Sequence, residues 1–496
     1  MSLKDFDVTI GLEIHAELAT NTKIFCSCKN QFGSEPNTNV CPVCIGLPGA
    51  LPVVNKRAVE LGIRAGLCMG CKISPLTVFE RKNYFYPDLS KAYQISQLQK
   101  PLCLGGGITL DDGKFIRLNR IHLEEDAGKL THINSTQGSL VDYNRGGVPL
   151  IEIVTEPDIS SAEEAVEFVV KLRSNLVFGK IAECRMEQGG MRCDVNLSIK
   201  PKGSKTLGTR TEMKNLNSFK MVGRAINYEA QRQVEELEKG NRILQQTRKW
   251  DDNKGRSFSM RSKEEANDYR YFPDPDILAI KVSERLVEET QLGLPRLSEQ
   301  RKNYYVTELG LPLYDAKILT SELFISDYFE QVLKLFDNAK VVSNWIMTEV
   351  LRKLKERETE DLSEIISAKN LVAIIKMFEN NEITKHHAKE LFEKVCAEKE
   401  EREKAMLMGC KADAKKEVDA REMAEKEGML SALTEAEIIK IIEQSFEANP
   451  KALQDFKTEP DKVIKFFMGQ IMRATKGAAK VEVAMPILEA KLKDKK

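Results

Sequence analysis

Residues 8–18 read VTIGLEIHAEL, and the spacing of residue types in this stretch decides the fold. Val8, Ile10, Leu12, Ile14, Ala16 and Leu18 recur at every second position, the period of an extended strand with one face against a core. The other face carries Glu13, His15 and Glu17. Two residues along a strand span about 6.6 Å, so the side chains of Glu13 and His15 can converge on a cation that neither would hold alone. A lone histidine on a strand is usually a hydrogen-bonded core or surface residue, so the cation reading needs further acidic strands beside this one.

Two neighbours follow the same pattern. MRCDVNLSI (191–199) puts Met191, Cys193, Val195, Leu197 and Ile199 on one face and Arg192, Asp194, Asn196 and Ser198 on the other, while GTRTEMKNL (208–216) aligns Arg210, Glu212 and Lys214. Such alternation fits strands of one half-covered, mostly antiparallel sheet. Helical periodicity intervenes at 54–68, 161–177 and 217–238, which makes the class α+β. Twenty-four of the 29 glycines lie at or before Gly293, and beyond GLPRLSEQ (293–300) the period becomes 3.6. The expected organisation is therefore an α+β domain followed from near Pro295 by a helical domain, with apolar periodicity returning over 431–492 for a small helical module. Residues 398–427 are almost continuously charged and read as a solvated helix or a mobile linker.

Composition narrows the partners. Lys plus Arg equals Asp plus Glu at 75 each, so no global field draws this 496-residue chain to nucleic acid or membrane, and such a partner has to meet a local patch. The opening MSLKDFDVTIG is neither a signal peptide nor an Arg-rich transit segment, and no run of 18 apolar residues occurs. The expectation is a cytoplasmic protein with no membrane partner.

Eleven cysteines are clustered rather than spread. Cys26-x-Cys28 is followed after twelve residues by Cys41-x-x-Cys44, and four thiolates in two close pairs suit one structural Zn²⁺ with no open position. Clustering of small buried thiols is the plainer alternative.

The segment RIHLEEDAGK (120–129) adds His122, Glu124, Glu125 and Asp126. Adjacent carboxylates raise one another's pKa unless a cation or a Lys/Arg sits among them, and Lys129, Arg81 and Lys82 are candidates. With Glu212, the sheet presents Glu13, His15 and Glu124 or Glu125, a mostly hard-oxygen set suited to Mg²⁺ carrying a substrate phosphate. No GxxxxGK[ST] loop exists, and LGGGIT (104–109) reads as a hairpin turn rather than a dinucleotide fingerprint. Neither HIGH nor KMSKS occurs, which disfavours a stand-alone aminoacyl-tRNA synthetase. Spacing alone thus supports a metal-assisted site on a sheet, with the substrate open.

The stretches VTIGLEIHAEL, FCSCKNQFGSEPNTNVCPVCIGLPGALPVVNKRAVE, RKNYFYPDLSKAYQISQ, HLEEDAGK, VDYNRGGVPLIEIVTEPD, MRCDVNLSI, KNLNSF, DYRYFPDPDI and GQIMRATKG together resemble the B-subunit family of tRNA-dependent amidotransferases along almost the whole chain. The resemblance implies a cradle-shaped α+β domain over 1–294, an all-helical domain over 295–410, and a linker plus small helical tail domain over 411–496 that engages tRNA. It also implies the kinase half of a glutamine-dependent amidotransferase, in which ATP phosphorylates the side-chain carboxylate of misacylated Glu-tRNA(Gln) or Asp-tRNA(Asn). Ammonia released from glutamine by an amidase A subunit then displaces phosphate, and a small C subunit braces the pair.

On this likeness Glu13, His15 and Glu125 match positions around Mg²⁺, with Glu124 and Glu212 as neighbours, while Lys82 either neutralises phosphate or guides ammonia. Residues 456–496 hold ten basic residues against five acidic ones, so Lys465, Arg473, Lys476 and Lys480 are candidates for tRNA phosphates. Tyr84, Phe85 and Tyr86 are placed either to stack on the CCA end or to pack in the core. The rival is a non-catalytic, zinc-containing tRNA-binding protein.

Overall fold

In the computed structural model the opening stretch lies within a twelve-residue strand, β1 (Phe6–Glu17), at the centre of a ten-stranded sheet. The structure describes residues 3–134, 138–262, 269–357, 359–407, 418–430, 435–454, 460–475, 479 and 481–494. The chain divides into two units, Met1–Ser298 and Glu299–Lys496.

The other long strands of the first unit are β2 (Phe115–Glu125), β3 (Pro149–Thr155), β4 (Met191–Pro201), β5 (Thr211–Leu216), β6 (Gln246–Asp251) and β7 (Arg256–Ser262). Their order is β7-β6-β5-β4-β1-β3-β2, continued by the short strands Cys103–Leu104 and Lys72–Ile73. Every pair is antiparallel except β5 with β6. That exception follows from connectivity, because a helix (Phe219–Glu238) joins the two strands and returns the chain in the same direction.

This helix is α3; with α1 (Lys56–Cys68) and α2 (Ala162–Phe178) it lies in one core with the apolar face of the sheet. Each begins just after a side-chain cap: Asn55 accepts from the Arg57 and Ala58 amides, Ser161 from Glu164, and Ser218 from Met221. The helices therefore start one or two residues later than apolar periodicity suggests. Ile10, Leu12, Ile14, Ala16 and Leu18 are fully buried in this core, whereas Glu13, His15 and Glu17 remain half-buried on the opposite face.

Residues 104–109 depart from the sequence reading. Cys103–Leu104 and Gly107–Thr109 both pair with β2 in one continuous antiparallel line, with Leu104 opposite Arg120 and Gly107 opposite Arg117. The stretch is an interrupted strand and not a hairpin turn. Gly105 and Gly106 form the interruption with φ of 66° and 81°, and a Cβ on Gly106 would meet the Met69 carbonyl at 2.5 Å.

A smaller three-stranded sheet, of Phe272–Pro273, Glu80–Asn83 and Tyr93–Ser96, is tied to the end of β2. The Ile95 amide donates to Glu125 Oε1 at 2.9 Å, and Ser96 Oγ donates to Glu124 Oε2 at 3.2 Å. This sheet carries Lys82.

The second unit is helical, with two apolar clusters. One includes Tyr305, Phe329, Ile346, Leu371 and Phe392, and extends past residue 410 to Val418, Ala420, Ala424 and Met429. The other is built from Ile438, Ile442, Phe446, Phe467, Ile471 and Leu488. Within the charged stretch 398–427, residues 398–407 continue the helix Lys385–Leu407, which is laced by i,i+4 pairs such as Glu400 with Lys404 at 2.7 Å. Residues 408–417 fall outside the described residues, while Ala420–Lys426 is a helix with two buried alanines. No helix among the described residues is long and apolar enough to cross a membrane.

The apolar face of β1 predicts a local stability effect. Ile14→Ala should cost about 2–5 kcal/mol, read as faster amide exchange across the sheet with the helices of the second unit unaffected.

Candidate active site

Strand register assembles the polar face. His15 stands opposite Glu152 of β3, which stands opposite His122 of β2, and on the other side His15 stands opposite Arg192 of β4. Glu124 follows His122 by two residues and so shares its face. The result is a compact cluster: His15 Nε2 lies 3.4 Å from Glu124 Oε1 and 3.4 Å from Glu152 Oε2. One ligand atom each from His15, Glu124 and Glu152 falls within 4.8 Å of the others. His122 backs the pair, its Nε2 3.5 Å from Glu152 and 3.8 Å from Glu124, while Arg120 Nε donates to its Nδ1 at 3.4 Å.

Two buried carboxylates this close repel each other, and positive charge offsets the cost. Burial opposes ionisation of both, yet the imidazoles of His122 and His15 hold Glu124 and Glu152 below the usual carboxylate range. Burial likewise works against a charged His15, but its bonds to Glu124 and Glu152 raise it to about 10. Glu17 is pushed up to about 7 by burial and by Asp126. With the His15 proton displaced, an imidazole and two carboxylates are a donor set that fits a divalent cation and leaves coordination positions for phosphate oxygens or water.

Lys82 approaches this cluster from the smaller sheet. Its ammonium lies 4.9 Å from the Tyr269 ring centroid and 5.8 Å from that of Tyr84. Burial disfavours the charge, but Tyr271, Glu124 and Glu152 raise the lysine's pKa above its ordinary value. Tyr84 is half-buried beside Tyr269, whereas Phe85 and Tyr86 are exposed.

The remaining candidate acids are distributed differently. Glu13, on the same face of β1, accepts from Asn196 Nδ2 at 2.8 Å and lines a cavity of about 230 Å³ with Thr9, Gly11, Ser198 and Arg210. Glu212 accepts from Thr247 Oγ1 at 2.8 Å and lies 3.3 Å from the Lys214 ammonium, which is also ion-paired with Asp194. Glu125 points away from Glu124 and is ion-paired with Lys91, whose ammonium donates to both carboxylate oxygens at 2.6 Å. The geometry thus groups His15 with Glu124 and Glu152, keeps Lys82 within electrostatic reach, and sets Glu13, Glu125 and Glu212 in neighbouring contacts of their own. Glu152 and Lys91 do not stand out in the sequence. A lone carboxylate in the otherwise apolar strand PLIEIVT (149–155) is the signal that marks Glu152.

The four knuckle cysteines also converge. Cys44 Sγ lies 3.6 Å from Cys26, 3.7 Å from Cys41 and 3.9 Å from Cys28. Four sulfurs about 2.3 Å from a tetrahedral Zn²⁺ would be roughly 3.8 Å apart, so the cluster fits that metal. Lys23, fully buried, places its ammonium 3.4 Å from Cys44 Sγ, where it offsets thiolate charge. Among the tail candidates, Lys465 and Arg473 are exposed on the helix Pro460–Ala474, and Lys476 and Lys480 lie outside the described residues.

Residues 8–288 match the family described as the GatB/GatE catalytic domain, and residues 327–492 match the GatB domain. The chain is 47% identical over 494 residues to the B subunit of the aspartyl/glutamyl-tRNA(Asn/Gln) amidotransferase of Caldicellulosiruptor bescii, covering 98% of this chain and 99% of the relative. It is 46% identical over 490 residues to the protein of that name from Thermoanaerobacter pseudethanolicus, with 98% and 99% covered. The protein of that name from Carboxydothermus hydrogenoformans is 42% identical over 496 residues, with 99% of each covered.

The thiol geometry predicts about one zinc per reduced native chain. Cys41→Ser should lower that content to near zero by mass spectrometry of the metal while the sheet stays folded.

Proposed function

We propose, from the premise that this chain belongs to the GatB family of amidotransferase B subunits, that it activates the side-chain carboxylate of Glu-tRNA(Gln), Asp-tRNA(Asn) or both with ATP and amidates it with ammonia. The observation that carries this reading is the cluster of His15, Glu124 and Glu152 with the Lys82 ammonium beside it.

The chemistry explains why such a site is needed. A free carboxylate is a poor acyl donor because oxide would have to leave. Attack by one carboxylate oxygen on the γ-phosphorus of ATP breaks the bond to ADP and gives an acyl phosphate. Attack by NH₃ on the acyl carbon then expels phosphate, and the nitrogen gives up a proton to leave the amide. Phosphoryl transfer of this kind asks the protein for in-line positioning and charge neutralisation rather than a protein nucleophile.

His15, Glu124 and Glu152 would hold Mg²⁺, which supplies neutralisation of phosphate charge when bound. His122 and Arg120 steady the carboxylates from behind. Lys82, kept protonated, is suited to draw the anionic substrate carboxylate and phosphate together, in a wall of tyrosines that limits water. The cavity beside Glu13, with the hydroxyls of Thr9 and Ser198 and Arg210 at its lining, is suited to part of the nucleotide. Glu13, Glu125 and Glu212 act in this reading as neighbours of the cation site. The cysteine cluster holds a structural Zn²⁺. The working enzyme is a complex in the cytoplasm with an amidase A subunit that supplies ammonia and a small C subunit. The tail contacts tRNA through Lys465 and Arg473, with Lys476 and Lys480 as further candidates.

A non-catalytic tRNA-binding role is not favoured, because buried carboxylates repel RNA phosphates and serve no purpose in a mere binder.

Two outcomes test the reading. Glu152→Gln removes one charge from the cluster and should lower tRNA-dependent amidation by about 10²-fold or more, with tRNA affinity and subunit assembly unchanged. Turnover at the unaltered rate would remove Glu152 from the mechanism. Replacing Lys465 and Arg473 together by alanine should weaken tRNA binding and reduce the slope of log K against log salt by about 1–2, measured by filter binding, without altering the ATP requirement.

A further inference from the structure

The ion pair of Lys91 with Glu125 lies outside the cation cluster, yet it sits next to the cysteine knuckle. Glu125 is buried and directly follows Glu124, so whatever fixes its carboxylate also fixes the end of β2 that carries a cation-site acid. Three hydrogen bonds do so: two from the Lys91 ammonium, at 2.6 Å to each oxygen, and one from the Ile95 amide at 2.9 Å. Lys91 itself stands in the irregular loop between the strands Glu80–Asn83 and Tyr93–Ser96. A loop lysine needs its backbone held from outside if it is to meet a buried partner.

The knuckle supplies that support at two points. Ser90 Oγ donates to the Cys44 carbonyl at 2.6 Å. Gly46 has a φ of 66°, and a Cβ there would lie 2.6 Å from Lys91 Cγ, so the turn 41–46 packs directly on the lysine stem. Lys23 links the same cysteine to the far side of the loop. Its ammonium contacts Cys44 Sγ and donates to the Tyr143 carbonyl at 3.1 Å, and the Tyr143 hydroxyl donates to the Pro87 carbonyl at 2.8 Å. Cys44 is thus the point where the thiolate cluster and the loop that carries Lys91 meet.

We propose that the cysteine-bound metal is a positioning device for the active site: by fixing the turn 41–46 it holds Ser90 and the stem of Lys91, and so keeps the Lys91 ammonium on Glu125. Lys91 is then a positioning residue, and the metal's role reaches beyond keeping its own loop folded. The inference rests on the thiolate cluster holding a metal.

Amine labelling of the full-length chain with acetic anhydride, read peptide by peptide, tests it together with zinc content. Lys91 should label slowly in the native protein and faster in Cys41→Ser. In Ser90→Ala, which keeps its zinc, the rate should rise about fivefold, the change that a typical net hydrogen-bond contribution makes in a local opening equilibrium. Ser90→Thr should restore protection, and Lys171, paired with Asp111, should label equally in all four proteins. If Cys41→Ser exposes lysines everywhere, Ser90→Ala decides. A zinc-bound chain in which Lys91 labels at one rate throughout overturns this inference alone. A native chain with no metal at these thiols overturns the metal reading and the inference with it.

Discussion

The structure depends on the register of three antiparallel strands. His15, Glu152 and His122 face one another across β1, β3 and β2 because Ile14, Ile153 and Ile121 are locked beneath them in the core. A slip by one residue would turn every apolar side chain of β1 to the polar face, so burial of the other face enforces the arrangement of the charged groups. The site needs no favourable interaction of its own to form. That matters, because two buried carboxylates at one point are destabilising unless positive charge beside them, here from His15 and His122, offsets them.

The same face has a second half with a different balance. Asp194 stands opposite Glu13, and Lys214 lies between Asp194 and Glu212. Here one amine is shared between two acids and Glu13 is held by the Asn196 amide, and a cavity opens over Gly11, whose missing side chain leaves its floor free.

Much of this is legible in the sequence. Period two in VTIGLEIHAEL marks the buried and polar faces of β1, and period 3.6 beyond residue 295 marks the helical second part. The position of His15 and the likeness of long motifs identify the family. Pairwise convergence is less legible. Glu124 and Glu125 are adjacent in sequence and point to opposite sides, and only the register of β2 against β3 tells which one meets His15. Glu152 comes into view for the same reason, since cross-strand neighbours are set by topology and not by spacing. The run LGGGIT misleads because glycines with positive φ serve a break within a strand as readily as a turn, and which of the two forms depends on the strand alongside.

The most direct measurement of the central claim is anomalous diffraction from crystals of the full chain soaked with Mn²⁺ as a substitute for Mg²⁺. A peak bonded to His15 Nε2 and to one oxygen each of Glu124 and Glu152, at about 2.0–2.3 Å, is the predicted result. Full occupancy elsewhere on the sheet with those three side chains unligated would contradict the account.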